Sequence, residues 1–122
     1  MERTRALVTP ERGDILHLAF DPASGREMKG EHYCLVVSSR RFNERFKLAI
    51  VCPISQGAAE PARAGGFLVT LMGAGTRTVG NIHVHQVKSL DWSARRARRV
   101  ERVPEDVSSE VRQLMNAVLE DE

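Results

Sequence analysis

The segment His32-Tyr33-Cys34-Leu35-Val36-Val37-Ser38 is a near-continuous apolar run. Such a run reads as a central β-strand buried on both faces, since a strand with one wet face alternates polar and apolar side chains. A strand of that kind needs sheet neighbours, and the flanking sequence supplies them. Residues 15–20 are a strand with Leu16, Leu18 and Phe20 on one face and Ile15, His17 and Ala19 on the other. Residues 47–52 are a third strand, closed by Pro53; residues 67–71 and 78–87 are two more, and 89–92 a short extension of the sheet. Asp21-Pro22-Ala23-Ser24-Gly25 cannot continue a strand and opens a loop that runs to about Glu31. Residues 56–66, rich in Gly, Ala and Pro, form a long loop, and Gly73, Gly75 and Thr76 turn the chain. Residues 42–46 make a single helical turn.

Only after Pro104, at a position where proline is tolerated, does a full helix begin. Its apolar face is Val107, Val111, Leu114, Met115 and Val118, and Glu105 and Asp106 complement the dipole at its start. The expected fold is mainly β with α: a small, mostly antiparallel β-barrel closed by a C-terminal helix.

The chain has 122 residues, enough for one core. A loose arm over 1–10 and a single domain over 11–122 are expected. Aromatic residues are only 5% of the chain, so the core is built from Val, Leu, Ile and Ala. Cys34 and Cys52 each sit inside an apolar run and form no C-x-x-C pair, which reads as buried thiols in a reducing compartment. No apolar run is long enough to span a bilayer, and residues 1–10 carry charges without a signal-peptide core. The expected location is the cytoplasm, away from membranes. The net charge of +2 does not by itself imply nucleic acid. Basic residues nevertheless gather at Arg40, Arg41, Arg45 and Lys47, at Arg95, Arg96, Arg98 and Arg99, and on the loops at Arg26, Lys29, Arg63 and Arg77. The run from Arg95 to Arg99 reads equally as a solvated face.

His83 and His85 stand two positions apart, which on a strand puts both imidazoles on one face. Such a pair can accept one proton and donate another near neutrality. It can also be two exposed histidines on a sheet face. It can supply two zinc ligands, with His17, His32 or Glu27 needed as a third, and nothing local provides one. Glu27 and His32 bracket the glycine at the exit of the first loop, where a carboxylate beside an imidazole raises its pKa and orients it; they read equally as a solvated loop glutamate and a strand-end histidine. Ser55, two residues after Pro53, can donate a hydrogen bond to a phosphate oxygen or simply satisfy a turn.

Arg12-Gly13-Asp14, Phe20-Asp21-Pro22 and Gly25-Arg26-Glu27-Met28-Lys29-Gly30 resemble the opening of the MazF/PemK toxins. The resemblance continues through Leu35-Val36-Val37-Ser38, Phe42-Asn43 and Cys52-Pro53-Ile54-Ser55-Gln56-Gly57. It extends to Ala62-Arg63-Ala64-Gly65-Gly66-Phe67, Arg77-Thr78-Val79-Gly80, Gln86 and Arg102-Val103-Pro104-Glu105, covering nearly the whole chain from Glu11. It implies an SH3-like barrel shared with the gyrase poison CcdB, and a homodimer with single-stranded RNA, such as mRNA, along its face. It also implies an antitoxin that occupies the same surface. Cleavage, without metal or cofactor, is implied to proceed by attack of the ribose 2′-hydroxyl, leaving a 2′,3′-cyclic phosphate and a 5′-hydroxyl.

Residue by residue, His32-Tyr33 replaces the family's Arg-Pro, and Ser55 replaces its catalytic Thr. His83 and His85 replace an Arg and an Asp, Arg26 replaces a His, and Glu27 fits the pattern. The implied catalytic set is therefore His32, Ser55, His83, His85 and Glu27. The implied RNA contacts are Arg26, Lys29, Tyr33, Gln56, Arg63, Arg77 and Gln86. The alternatives are a weakly active or inactive relative that binds antitoxin, and a CcdB-like gyrase poison. The latter is disfavoured because the chain ends Val118-Leu119-Glu120-Asp121-Glu122 and lacks a C-terminal Trp-Gly-Ile.

Overall fold

A computed structural model describes residues 8–21, 25–26, 29–56 and 66–120. In chain order the elements are β1 (Asp14–Ala19), β2 (Glu31–Val36), α1 (Arg40–Phe46), β3 (Ala49–Ser55), β4 (Leu68–Thr70) and β5 (Asn81–His83). A single 3-10 turn (Val84–Gln86) follows, then β6 (Lys88–Leu90), β7 (Arg98–Arg102) and α2 (Glu105–Leu119). Among the described residues the seven strands form one sheet in the order β4-β5-β3-β2-β1-β7, with β6 also paired to β3. All pairings are antiparallel.

The apolar run that anchors the sequence lies at the middle of this sheet. Cys34, Leu35 and Val36 of β2 are fully buried, and their side chains alternate between two cores. Ile15, Leu35, Cys52, Ile54 and Ile82 meet Val107 and Val111 of α2 on one face. Leu16, Leu18, Phe20, Cys34, Val36 and Val51 meet Leu90, Trp92 and Ala97 on the other. Both cysteines are free and buried, and burial pushes the Cys52 thiol up to about 12 and raises Cys34 as well.

Several element limits differ from the expectation, and one residue explains two of the differences. Pro53 does not close the third strand; β3 continues through it to Ser55. Ile50 turns its carbonyl toward β2, where it accepts from Val37. In an antiparallel strand the groups alternate sides, so Pro53 turns its nitrogen toward β5 and β6. That nitrogen has no hydrogen to donate, and the neighbouring chain breaks opposite it. β5 pairs with Ile54 and Ser55, β6 with Ala49, Ile50 and Val51, and the 3-10 turn fills the gap. The strand expected over 78–87 is therefore only the short β5 followed by the 3-10 turn, and the extension expected over 89–92 is β6, Lys88–Leu90.

β7 was not anticipated: its register against β1 shifts between Ile15 and Leu16, and it exposes Arg98, Arg99 and Arg102. α1 is longer than one turn, because Ser39 caps it by accepting from the Phe42 N–H. Of the expected arm, Val8 is exposed, while Thr9 and Pro10 are buried against α1. The Thr9 hydroxyl donates to Glu44, and Asn43 Nδ2 donates to the Pro10 carbonyl at 2.8 Å. The arm's residues 1–7 lie outside the described residues.

Candidate active site

The ends of β2 and β3 nearest the first loop set out two groups of functional side chains, one on each face of the sheet. On β2, Tyr33 pairs with Ile54 of β3, which places His32 opposite Ser55. Ser55 in turn pairs with Asn81 of β5. His32, Ser55 and His83 thus share the face that also carries Phe20, Cys34 and Val51. Tyr33 and Ile54 point to the face covered by α2, and Gln56, just past the end of β3, lines that side beside Tyr33.

The first face brings the histidines together. His83 Nε2 lies 2.7 Å from Ser55 Oγ, and the His83 and His85 rings are 5.5 Å apart between centroids. The break opposite Pro53 aids this approach, because His83 ends β5 while His85 is carried on the 3-10 turn. His32 packs its ring 5.6 Å from Phe20, and Lys88 Nζ stands 5.1 Å over the other partner of that contact, the Phe20 ring. His85 is exposed; His32, Ser55 and His83 are half-buried.

Hydrogen bonding assigns roles to the ring nitrogens. His32 Nε2 lies 2.5 Å from the Lys29 carbonyl oxygen. A carbonyl only accepts, so Nε2 carries the proton and Nδ1 is bare when the ring is neutral. His83 Nδ1 is buried with no partner among the described residues. A proton there would be an orphaned buried donor, so the neutral ring holds its proton on Nε2 and donates it to Ser55 Oγ. The serine proton is then free for another acceptor. Burial first, then the charges of His85 and His32, hold the His83 imidazole below its ordinary value of 6.5, which keeps it neutral at pH 7.

On the opposite face, Tyr33, Gln56, Arg77, Thr78, Arg98, Arg99 and Val100 line an open basin of about 380 Å³. Its walls are held from behind. Glu101 accepts from the Arg77 N–H at 3.1 Å, the Thr78 N–H at 2.7 Å and the Thr78 hydroxyl at 2.6 Å. Those bonds, the Thr78 hydroxyl foremost, hold the Glu101 carboxyl below the usual carboxylate range. Arg99 Nε reaches the buried Asp14 at 3.3 Å. Arg77 and Arg98 make no side-chain hydrogen bond or ion pair among the described residues.

Of the residues singled out in the sequence, His32, Ser55, His83 and His85 converge on one face. Tyr33, Gln56 and Arg77 converge on the other. Arg26 and Lys29 are exposed on the loop that leads into His32, and Gln86 is half-buried at the end of the 3-10 turn. Glu27 and Arg63 lie outside the described residues. Among the described residues no group of three His, Cys, Asp or Glu is arranged to hold a metal ion.

The sequence reading missed Thr78, Arg98 and Arg99 in the basin and Lys88 beside Phe20. The arginine run divides by position. Arg95 donates from Nη1 to the Ala19 and Asp21 carbonyls, both at 2.8 Å, and so clamps the start of the first loop. Arg98 and Arg99 face the basin, and Arg96 takes a left-handed backbone with φ of 53°. The signal was Val100, the one apolar residue of β7, but a single apolar position does not set a strand period.

A small antiparallel sheet packed on a C-terminal helix thus carries a histidine–serine cluster and an arginine-lined basin at one rim. The chain's sequence relatives are of one kind. The family model for the PemK-like, MazF-like toxin of type II toxin-antitoxin systems matches residues 11–119, so the chain belongs to that family. The endoribonuclease PemK of Escherichia coli is 38% identical over 109 residues, spanning 89% of this chain and 81% of the relative. The endoribonuclease toxin ChpB of Escherichia coli K12 is 39% identical over 111 residues, spanning 90% and 94%. The crystal structure of MazF from Deinococcus radiodurans superimposes with a TM-score of 0.81 at 32% identity, covering 92% of this chain and 97% of that one.

Proposed function

We propose that this chain, the toxin of a type II toxin–antitoxin pair by family, is an endoribonuclease that cuts single-stranded RNA through the histidine–serine cluster. The observation that carries the proposal is the 2.7 Å contact of His83 with Ser55, beside the exposed His85 and opposite His32. His32 Nδ1, left bare by the bond to Lys29, takes the proton of the ribose 2′-hydroxyl. The 2′-oxygen attacks phosphorus and the bond to the 5′-oxygen breaks. The imidazolium of His85 gives its proton to the departing oxygen, so the products are a 2′,3′-cyclic phosphate and a 5′-hydroxyl. Ser55 donates its free proton to a non-bridging oxygen as negative charge develops there. Neutral His83 is a positioning residue that holds the serine oxygen from the other side. Lys88 adds a fixed positive charge on the same face, where the family's arginine is replaced by His32.

The working form is a cytoplasmic homodimer whose RNA-binding surface is also the surface that the antitoxin covers. No described helix is long and apolar enough to cross a membrane. The test uses purified protein, a single-stranded RNA and EDTA. Cleavage is expected with a bell-shaped pH dependence, and His32→Ala and His85→Ala should each slow it by about 100-fold or more. Cleavage that is flat from mildly acidic to alkaline pH, or untouched by both substitutions, would refute the histidine scheme.

A further inference from the structure

We infer that the basin on the α2 side of the sheet is a subsite for the nucleotide next to the scissile phosphate, holding its base on Tyr33 and its phosphate on Arg98. The inference rests on the RNA-cleaving role of the histidine face. The two sites share a rim: Tyr33 directly follows His32 on the opposite face of β2, and Gln56 directly follows Ser55 just past the end of β3 and lines the basin with Tyr33. Consecutive strand residues advance about 3.3 Å, so a chain leaving the histidines over this rim meets Tyr33 and Gln56 first.

The chemistry of the lining matches a nucleotide better than a simple anion. At about 380 Å³ the basin falls within the size range of small-molecule sites. Tyr33 supplies an aromatic face, and its orientation is fixed by His17, which meets the ring in a T-shape at 4.9 Å. Aromatic stacking of that kind is the usual platform for a single-stranded base. Gln56 adds an amide able to read a base edge. Arg77 and Arg98 keep their guanidinium groups unbridged, whereas Arg99 is partly neutralised by Asp14. Glu101 holds the Arg77 and Thr78 backbone and remains an anion behind the wall, its charge set against that of Arg77, which leaves Arg98 as the guanidinium of the basin with no carboxylate partner among the described residues. An acidic polypeptide would use the arginines but would leave the aromatic face and the amide without a role.

The test measures binding of a fluorescent 2′-O-methyl oligonucleotide, which lacks the attacking hydroxyl, by anisotropy across a salt series on the full chain. Arg98→Gln is expected to weaken binding about three- to tenfold and to lower the salt slope by about one. Arg98→Lys, which keeps the charge, should recover most of the slope. Tyr33→Leu should weaken binding by a similar factor with the slope unchanged, while Tyr33→Phe should not. Arg45→Gln removes the same charge from α1, at the other end of β2 and β3, and should change affinity by no more than about twofold. Equal affinity and slope for Arg98→Gln and the parent would overturn the subsite while leaving cleavage at the histidine face intact. Loss of affinity for an oligoglutamate peptide with RNA binding unchanged would reassign the basin to a polypeptide and overturn it too. A parent protein that neither binds nor cuts RNA would overturn the underlying function together with the subsite.

Discussion

Gly80 lies where the hairpin between β4 and β5 returns to the site, and replacing it with alanine strikes the backbone twice. Its φ is +128°, a conformation that side-chain-bearing residues rarely adopt, and the strain is about 1–3 kcal/mol. An alanine Cβ would also stand 2.1 Å from the Ser55 carbonyl oxygen and 3.1 Å from Gln56 Cα. Reaching an ordinary separation of about 3.5 Å requires the two chains to part by about 1.4 Å. Neither neighbour is the tip of a flexible side chain; both are backbone, and separating them disturbs the end of β3. Overpacking of that sort costs about 1–3 kcal/mol, so the combined loss is about 2–6 kcal/mol. For a chain of this size, at about 4 °C per kcal/mol, that corresponds to a Tm lower by about 8–24 °C. The same shift moves Ser55, and a displacement of about 1 Å costs about 100-fold in rate. Thermal unfolding followed by circular dichroism and cleavage of a fluorogenic RNA read the two effects separately. Gly75→Ala is the control: its φ is +86°, but nothing lies within 4 Å of the new Cβ, so only strain of about 1–2 kcal/mol is expected. A Gly80→Ala protein with the parent's Tm and rate would refute this coupling of hairpin to site. So would a Gly75→Ala protein damaged as severely.

Three further outcomes are expected. Because His83 titrates below its ordinary 6.5 in the folded chain, the unfolded chain binds more protons in mildly acid solution. The urea midpoint should therefore fall as pH drops below about 6.5, less steeply in His83→Gln, and identical slopes for the two would contradict it. Asn43 is a buried hub that accepts from Ser38 at 2.5 Å, donates to the Pro10 carbonyl at 2.8 Å, and offers its own carbonyl to Trp92 Nε1. Asn43→Ala should cost about 2–4 kcal/mol by chemical denaturation, and a loss under 1 kcal/mol would show that water replaces the side-chain bonds. Arg95→Gln removes the clamp on the Ala19 and Asp21 carbonyls and should cost about 1–3 kcal/mol, with an unchanged midpoint counting against the clamp.

Strand content and the helix were legible where periodicity was strong. The β2 run and the Leu16, Leu18 and Phe20 alternation lie in the cores as their spacing implied. So do Val107 and Val111 of α2, and all follow from burial alone. The 3-10 turn was not legible, because its cause lies on another strand: Pro53 withholds a hydrogen from the neighbour across the sheet. The H-x-H spacing still brought its rings together, though by a different geometry from a continuous strand. β7 escaped notice because an edge strand with one apolar residue carries almost no period. The basin escaped for a related reason, since it is assembled from β2, β7 and the hairpin, and only tertiary packing sets Arg98 beside Tyr33. Local motifs could name the histidines and Ser55, but not which ring nitrogen carries a proton, because that depends on the Lys29 carbonyl and on the unpartnered His83 Nδ1.

The most direct check on RNA cleavage by the histidine–serine face is an analysis of product ends by mass spectrometry. Two oligonucleotides are compared in EDTA, one all-ribose and one with a single 2′-deoxy sugar immediately 5′ of the cut. The all-ribose strand should yield a 2′,3′-cyclic phosphate and a 5′-hydroxyl, and the substituted strand should remain whole at that position. A cut at the deoxy position, or a 5′-phosphate on the product, would contradict the mechanism.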